Sequence, residues 1–228
     1  MARNRLRHTG VALAVLGVLG TILVEWMVFF WVPTERTMGI AQRIFYVHVP
    51  SAWIAFLAFG IVALCSAVYL WLKDDRLDMA ALAAAEGGIA FCTIMILTGP
   101  LWARVSWGTW WQWEPRLVLT LLMWFIYLGY FMVRRVTENP EQGKRFAAVV
   151  GLIGVLDIPL IHVSVLWTRS LHPQPVVVKP EGPTLDPEML ITLMAGLAAA
   201  LVLFTGLFLI RYTVECLHRE VAQRRLGV

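Results

Sequence analysis

The sequence predicts an all-α integral membrane protein, a bundle of six transmembrane helices with both termini cytoplasmic. Three observations carry that prediction. The 228 residues are 59% hydrophobic and only 15% charged, where soluble domains carry about 25% charge. The apolar residues gather in six long blocks, and a helix needs roughly 20 of them to cross the hydrocarbon core. None of the blocks shows the period-two alternation of barrel strands, so helices must satisfy the backbone in lipid.

The blocks fall at about Val11–Val32, Ala52–Leu72, Met79–Trp102, Leu117–Val133, Phe146–Trp167 and Met189–Ile210. The first follows Arg3, Arg5 and Arg7, as a signal peptide would. Its apolar run is too long, however, and Glu25-Trp26-Met27 offers no small-residue cleavage site, so it reads as a retained helix. The second, fourth and sixth blocks contain no charge. Together they predict one six-helix membrane domain over residues 1–228.

Lys and Arg set the orientation. The two termini and the turns at Lys73–Asp78 and Arg134–Arg145 hold 13 basic residues, and the opposite side holds 6. Three loops are therefore expected on the outer face, at about 33–51, 103–116 and 168–188. The formal net charge of +4 reflects this topology and is no nucleic-acid footprint. Cys65, Cys92 and Cys216 imply no disulfide framework. There is no C-x-x-C-H motif and no nucleotide-binding loop, so any ATP dependence must come from a partner.

The middle outer loop is the most unusual segment. Trp107, Trp110, Trp111 and Trp113 stand within the run Trp107-Gly108-Thr109-Trp110-Trp111-Gln112-Trp113-Glu114-Pro115-Arg116. Interfacial tryptophans such as Trp31, Trp53 or Trp167 are ordinary belt residues. Four indoles in one short loop, broken by a Gly-Thr spacer and closed by Glu-x-Arg, ask for a flat apolar partner. Glu114-Pro115 also suits the start of the fourth helix, with proline in the first turn and an acid near the dipole.

Two histidines flank that loop. His48 precedes Pro50, which favours an extended residue before it and a helix start after it, just ahead of the second helix. His172 precedes Pro173, just past the fifth helix. Each alone is as readily a hydrogen-bonding residue as a ligand. Two imidazoles beside an indole surface suit a haem, because imidazole is a common axial ligand to haem iron. Indoles pack on the macrocycle, and its propionates could pair with Arg36, Arg43, Arg104, Arg116 or Arg169. His8 and His218 read as solvated. His162 lies about 9 Å deep by helical rise and reads as a helix-packing hydrogen-bonding residue, with ligation the lesser option. Glu25, Glu86 and Asp157 lie within apolar segments, where acids are costly and suspect of function. Pro159 is expected to kink the fifth helix.

The run Trp107-Gly108-Thr109-Trp110-Trp111-x-Trp113-Glu114-x-Arg116-Leu117 resembles the tryptophan-rich "WWD" signature of haem-handling proteins. Tyr46-Val47-His48-Val49-Pro50, Gly99-Pro100-Leu101-Trp102, Ile158-Pro159-x-x-His162-x-Ser164 and Ser170-Leu171-His172 are similar to segments of one member, the CcmC family of haem exporter proteins C. The resemblance covers nearly the whole chain. It implies haem b held at the periplasmic face of a bacterial inner membrane and presented to a CcmE-like haem chaperone for c-type cytochrome biogenesis. It also implies a CcmD-like small membrane protein and CcmA/CcmB ABC-type subunits as partners, beside membrane lipid. Carried over by position, His48 and His172 would be the axial ligands. The four tryptophans would form the haem platform, with Glu114 and Arg116 at its edge. Two departures stand out: Glu114 replaces the usual Asp, and Val118 the usual Thr. The rival readings are a haem lyase of the cytochrome c synthase type and a permease for an unrelated solute. A permease would want paired broken helices near the midplane.

Overall fold

In the computed structural model, residues 2–168, 170–173, 176–177, 179–180 and 182–226 are described. Seven α-helices form the molecule: α1 Ala2–Phe30, α2 Phe45–Leu72, α3 Asp75–Trp107, α4 Pro115–Val136, α5 Pro140–Val155, α6 Asp157–Trp167 and α7 Pro187–Leu226. A 3₁₀ turn over Ile40–Ile44 leads straight into α2. With α5 and α6 stacked end to end as one unit, six spans are long and apolar enough to cross a membrane, as expected. The bundle has one end carrying the termini and another carrying the tryptophan loop.

Several boundaries differ from the sequence reading. α2 begins at Phe45, so His48 sits in its first turn and Pro50 lies inside it. The first connection is therefore shorter than 33–51. A proline inside a helix leaves the carbonyl four residues back without its donor; here that carbonyl is Tyr46's. Two contacts brace this turn without replacing that donor. Gln42 Nε2 donates to the buried Tyr46 hydroxyl at 3.2 Å, pinning the turn before the helix. Gly196 of α7 faces the Tyr46 carbonyl and the Pro50 ring, where a Cβ would come within 3.3 Å and 3.4 Å. α3 likewise runs past Pro100 to Trp107 and stops at Gly108, whose φ of 74° is the left-handed terminator that glycine supplies. The tryptophan loop is thus the short stretch 108–114.

The fifth predicted helix is broken rather than kinked. α5 ends at Val155, and the Leu156 amide donates to the Ile153 carbonyl at 3.2 Å, a tighter turn. Pro159 cannot donate to the carbonyl one turn below, so the break falls just ahead of it. Asp157, 5% exposed, opens α6. Asp157, Ile161, Ser164 and Val165 are the buried residues of α6. His162 therefore faces outward and is exposed. Among the described residues its ring makes no hydrogen bond, where a helix-packing one was expected.

The core lies between α2, α3 and α4. The Phe59 and Tyr127 rings stack with centroids 3.4 Å apart. Gly88 makes room for Phe59, since a Cβ there would lie 2.6 Å from the ring. α1 packs on α7 through small residues: a Cβ on Gly17 would meet the Leu203 backbone at 2.5 Å, and Gly206 faces the Ala14 backbone more tightly still. Such seams let helices approach in lipid, where apolar burial alone gives little drive.

At the terminal end a charge cluster ties four helices. Arg134 of α4 clasps the Asp78 carboxylate of α3 with two bonds of 2.6 Å and 2.9 Å. Arg219 of α7 adds a third at 2.6 Å. Lys144 of α5 reaches Asp75 at 2.9 Å. Glu86, an acid within an apolar segment, pairs with Arg211 of α7, which also reaches Glu215 at 2.7 Å. Asp78 is 2% exposed, so Asp78→Ala strands Arg134, while Arg219 keeps Asp75 at 2.7 Å. Removing one partner of a buried pair costs about 3–5 kcal/mol. Thermal melts in detergent should show a clearly lower midpoint for the variant; an unchanged midpoint would place the fastening of this end elsewhere.

Candidate functional site

The site forms where α2 begins, α3 ends, α4 begins and α6 hands the chain to the 168–186 connection. His48 points from α2 toward α3. Its Nδ1 lies 2.9 Å from the Thr98 hydroxyl, and a Cβ on Gly99 would sit 3.4 Å from its Cε1. His172 has its Nδ1 3.0 Å from the Pro173 carbonyl. A carbonyl only accepts, so this Nδ1 carries the hydrogen and Nε2 keeps the lone pair. Burial, aided by the Arg116 charge and by His48, lowers the His172 pKa to about 3. The ring is therefore neutral through the ordinary pH range, the form that coordinates a metal.

Arg116, in the first turn of α4, lies within electrostatic reach of both imidazoles and of Glu114. The other expected arginines are placed differently. Arg104 donates to the Gly108 carbonyl and lies over the Trp110 ring, 5.9 Å from its centroid, so it orders the tryptophan loop. Arg43 lies over Phe29 at 5.2 Å. Arg36 is exposed, and Arg169 lies outside the described residues.

Glu114 caps α4 by position but makes no capping bond with its side chain. It reaches across to the next connection instead. Its Oε2 accepts from the Ser170 hydroxyl and from the Leu171 amide, both at 2.9 Å. Ser170 Oγ in turn accepts from the His172 amide at 3.0 Å. The tryptophan loop and the histidine turn are thereby tied through one carboxylate. Its Oε1 is buried without a protein partner, as is the Trp111 Nε1.

The four indoles divide into two groups. Trp107 meets Trp102 edge-to-face, centroids 5.0 Å apart. Both line a cavity of about 330 Å³ with Met38, Leu171 and Pro173, so the first and third connections and the end of α3 contribute. Glu35 accepts the amides of Thr37 (2.7 Å) and Met38, both of which line this cavity. Trp110, Trp111 and Trp113 line a second, apolar hollow of about 690 Å³ with Ile96, Leu97, Pro100 and Leu101. At 100° per residue, these α3 positions lie opposite Thr98, Gly99 and Trp102. Trp107 thus shares a hollow with Leu171 and Pro173, the chain neighbours of His172, and the other three indoles line the second hollow. Trp111 and Trp113 meet edge-to-face at 5.9 Å, and Trp113 is 79% exposed.

Thr98 and Ser170 were not among the sequence candidates. Ser170, two residues before His172, is a short-range turn signal. Thr98 lies 50 residues from its partner, and no sequence spacing announces the pair. Gly108 after an apolar run was a legible helix stop.

Fold and site define a multi-pass helical membrane protein with two unprotonated imidazole nitrogens and an indole-rich surface at one end. The heme exporter protein C (CcmC) family description matches residues 3–227. The chain is 36% identical over 189 residues to heme exporter protein C of Bradyrhizobium diazoefficiens, covering 83% of this chain and 72% of that one. It is 32% identical over 213 residues to the Haemophilus influenzae protein of that name, covering 93% and 85%. With the Rhodobacter capsulatus protein of the same name it shares 31% over 202 residues, covering 85% and 80%. The chain belongs to the heme exporter protein C family.

Proposed function

We propose that this protein binds haem b at the outer, periplasmic face of a bacterial inner membrane and presents it to a CcmE-like haem chaperone during c-type cytochrome biogenesis. It works as one membrane domain alongside a CcmD-like protein and CcmA/CcmB-type ABC subunits. The observation that carries the reading is the pair His48 and His172, each with Nδ1 engaged, near Arg116 and beside tryptophan. Sidedness rests on the 13 to 6 distribution of Lys and Arg.

The residues fit the group. His48 and His172 would hold the iron through the ring nitrogens left free of hydrogen. Arg116, with no ion pair among the described residues, suits a propionate. Trp102 and Trp107 offer flat apolar walls. Haem supplies the iron and the porphyrin edge on which an acceptor forms its bond. The chain's own part is to hold and orient. The imidazoles fix the metal, the Glu114 carboxylate keeps the His172 turn against the tryptophan loop, and exposed Trp110 and Trp113 form an open surface for a partner. No proton transfer by the chain is needed, so display rather than catalysis is the role. α5/α6 gives a permease only one of the paired breaks it would want.

The deciding experiment is capture of a CcmE-like chaperone by the tagged, membrane-embedded protein, with and without haem. Haem-dependent capture and haem transfer are expected. Haem binding without either would end the presentation reading.

A further inference from the structure

We propose that Thr98 is a positioning residue that holds the His48 imidazole in the tautomer with hydrogen on Nδ1, leaving Nε2 bare for a metal. The inference rests on the haem reading above and extends it to a residue that neither the tryptophan signature nor the histidine motifs include.

The argument is a hydrogen count. A threonine hydroxyl has one hydrogen and two lone pairs. Thr98 Oγ1 lies 2.7 Å from the Ile94 carbonyl one turn back in α3, and 3.2 Å from the Met95 carbonyl. Carbonyls cannot donate, so the hydroxyl hydrogen is committed to the helix. The face turned to His48 Nδ1, 2.9 Å away, is then a lone pair, and the imidazole must be the donor. Neutral imidazole has one N–H, so its lone pair is left on Nε2. Reversing these roles would give up the hydroxyl's 2.7 Å bond to the Ile94 carbonyl.

The seat is shaped as well as polar. Gly99 presents bare backbone to Cε1, so the ring lies close against α3 along its Nδ1–Cε1 edge. The Met95 carbonyl also lies within hydrogen-bonding influence of the ring, a second acceptor beside the Thr98 oxygen on the α3 side. His172 reaches the same state differently, through the Pro173 carbonyl. Two local devices therefore prepare the same nitrogen on two imidazoles brought together from distant parts of the chain. Outer-shell partners of ligating histidines typically hold 10–100-fold of metal affinity.

The test uses the full chain in lipid nanodiscs with ¹⁵N-labelled histidine rings. Without haem, the ring nitrogen shifts of His48 should report Nδ1 protonated and Nε2 bare in the wild type and in Thr98→Ser. In Thr98→Val, nearly equal in size but lacking the hydroxyl, the tautomers should mix. With haem, Thr98→Val should retain it about tenfold less well and lose part of its low-spin spectrum, and Thr98→Ser should restore both. Thr98→Ala serves if the valine variant does not elute as a single species. An unchanged Nε2-bare tautomer in the variants overturns the role of Thr98. A wild-type protein with no His48- and His172-dependent haem spectrum overturns the proposed function instead, while the ring shifts still decide the tautomer.

Discussion

Alanine at both His48 and His172 is expected to abolish the six-coordinate, low-spin haem spectrum of the purified protein, and each single substitution to leave a five-coordinate species. The size of the effect follows from the arrangement. Each ring offers one bare nitrogen, and neither histidine has a substitute nearby. His162 is exposed on α6, and His8 and His218 belong to the terminal end of the bundle. Burial and the Arg116 charge keep His172 neutral down to about pH 3. Loss of its ligation by protonation should thus begin well below the ordinary histidine pKa of about 6.5. Absorption spectra of wild type and single variants, recorded across a pH series, check both statements. A low-spin spectrum that survives in both single variants would sink the ligand assignment.

The second large effect is expected at Glu114. Glu114→Ala removes the acceptor for the Ser170 hydroxyl and the Leu171 amide, and with it the fixed Ser170 oxygen that accepts from the His172 amide. The donors are exposed or half-buried, so the loss is that of a net hydrogen bond, about 0.5–1.5 kcal/mol, or roughly 2- to 13-fold in haem retention if the turn relaxes only when haem is bound. Glu114→Gln keeps one acceptor oxygen and should fall closer to wild type. Glu114→Asp tests reach: one methylene shorter, the carboxylate must leave its two 2.9 Å contacts or draw the loops together. Haem loss to a competing apo-globin, timed by absorbance, ranks the three. Equal rates for wild type and Glu114→Ala would show that the two loops are held together by other contacts.

Glu114 also shows why part of the site could not be read in advance. In the sequence it is an acid before a proline, and a helix-start role accounts for it fully. The backbone bears that out, yet the side chain turns away from the helix it begins. Which of two acceptor-hungry segments a flexible carboxylate serves depends on how near the 168–186 connection passes. The Thr98–His48 pair is similar, since hydrogen bonds across 50 residues leave no periodic trace. The tryptophan cluster is a case of another kind. Closeness along the chain suggested one platform, and the structure sets Trp107 in a hollow with Trp102, Leu171 and Pro173 and sets Trp110, Trp111 and Trp113 in a second one.

The sequence by itself determined the number of spans, because a bilayer demands about 20 apolar residues per crossing and the chain shows six such runs. It also determined that His48, the tryptophan loop and His172 share one end, since each follows an odd number of crossings. Tertiary structure alone decided where helices stop, because packing overrides local preference: α2 runs through Pro50, packed against Gly196, and α5 breaks from α6 ahead of Pro159. It alone decided which nitrogen each imidazole exposes and which arginine stands beside them. Those outcomes depend on distances of about 3 Å between residues far apart in the chain, a scale at which hydrogen bonds are made or lost.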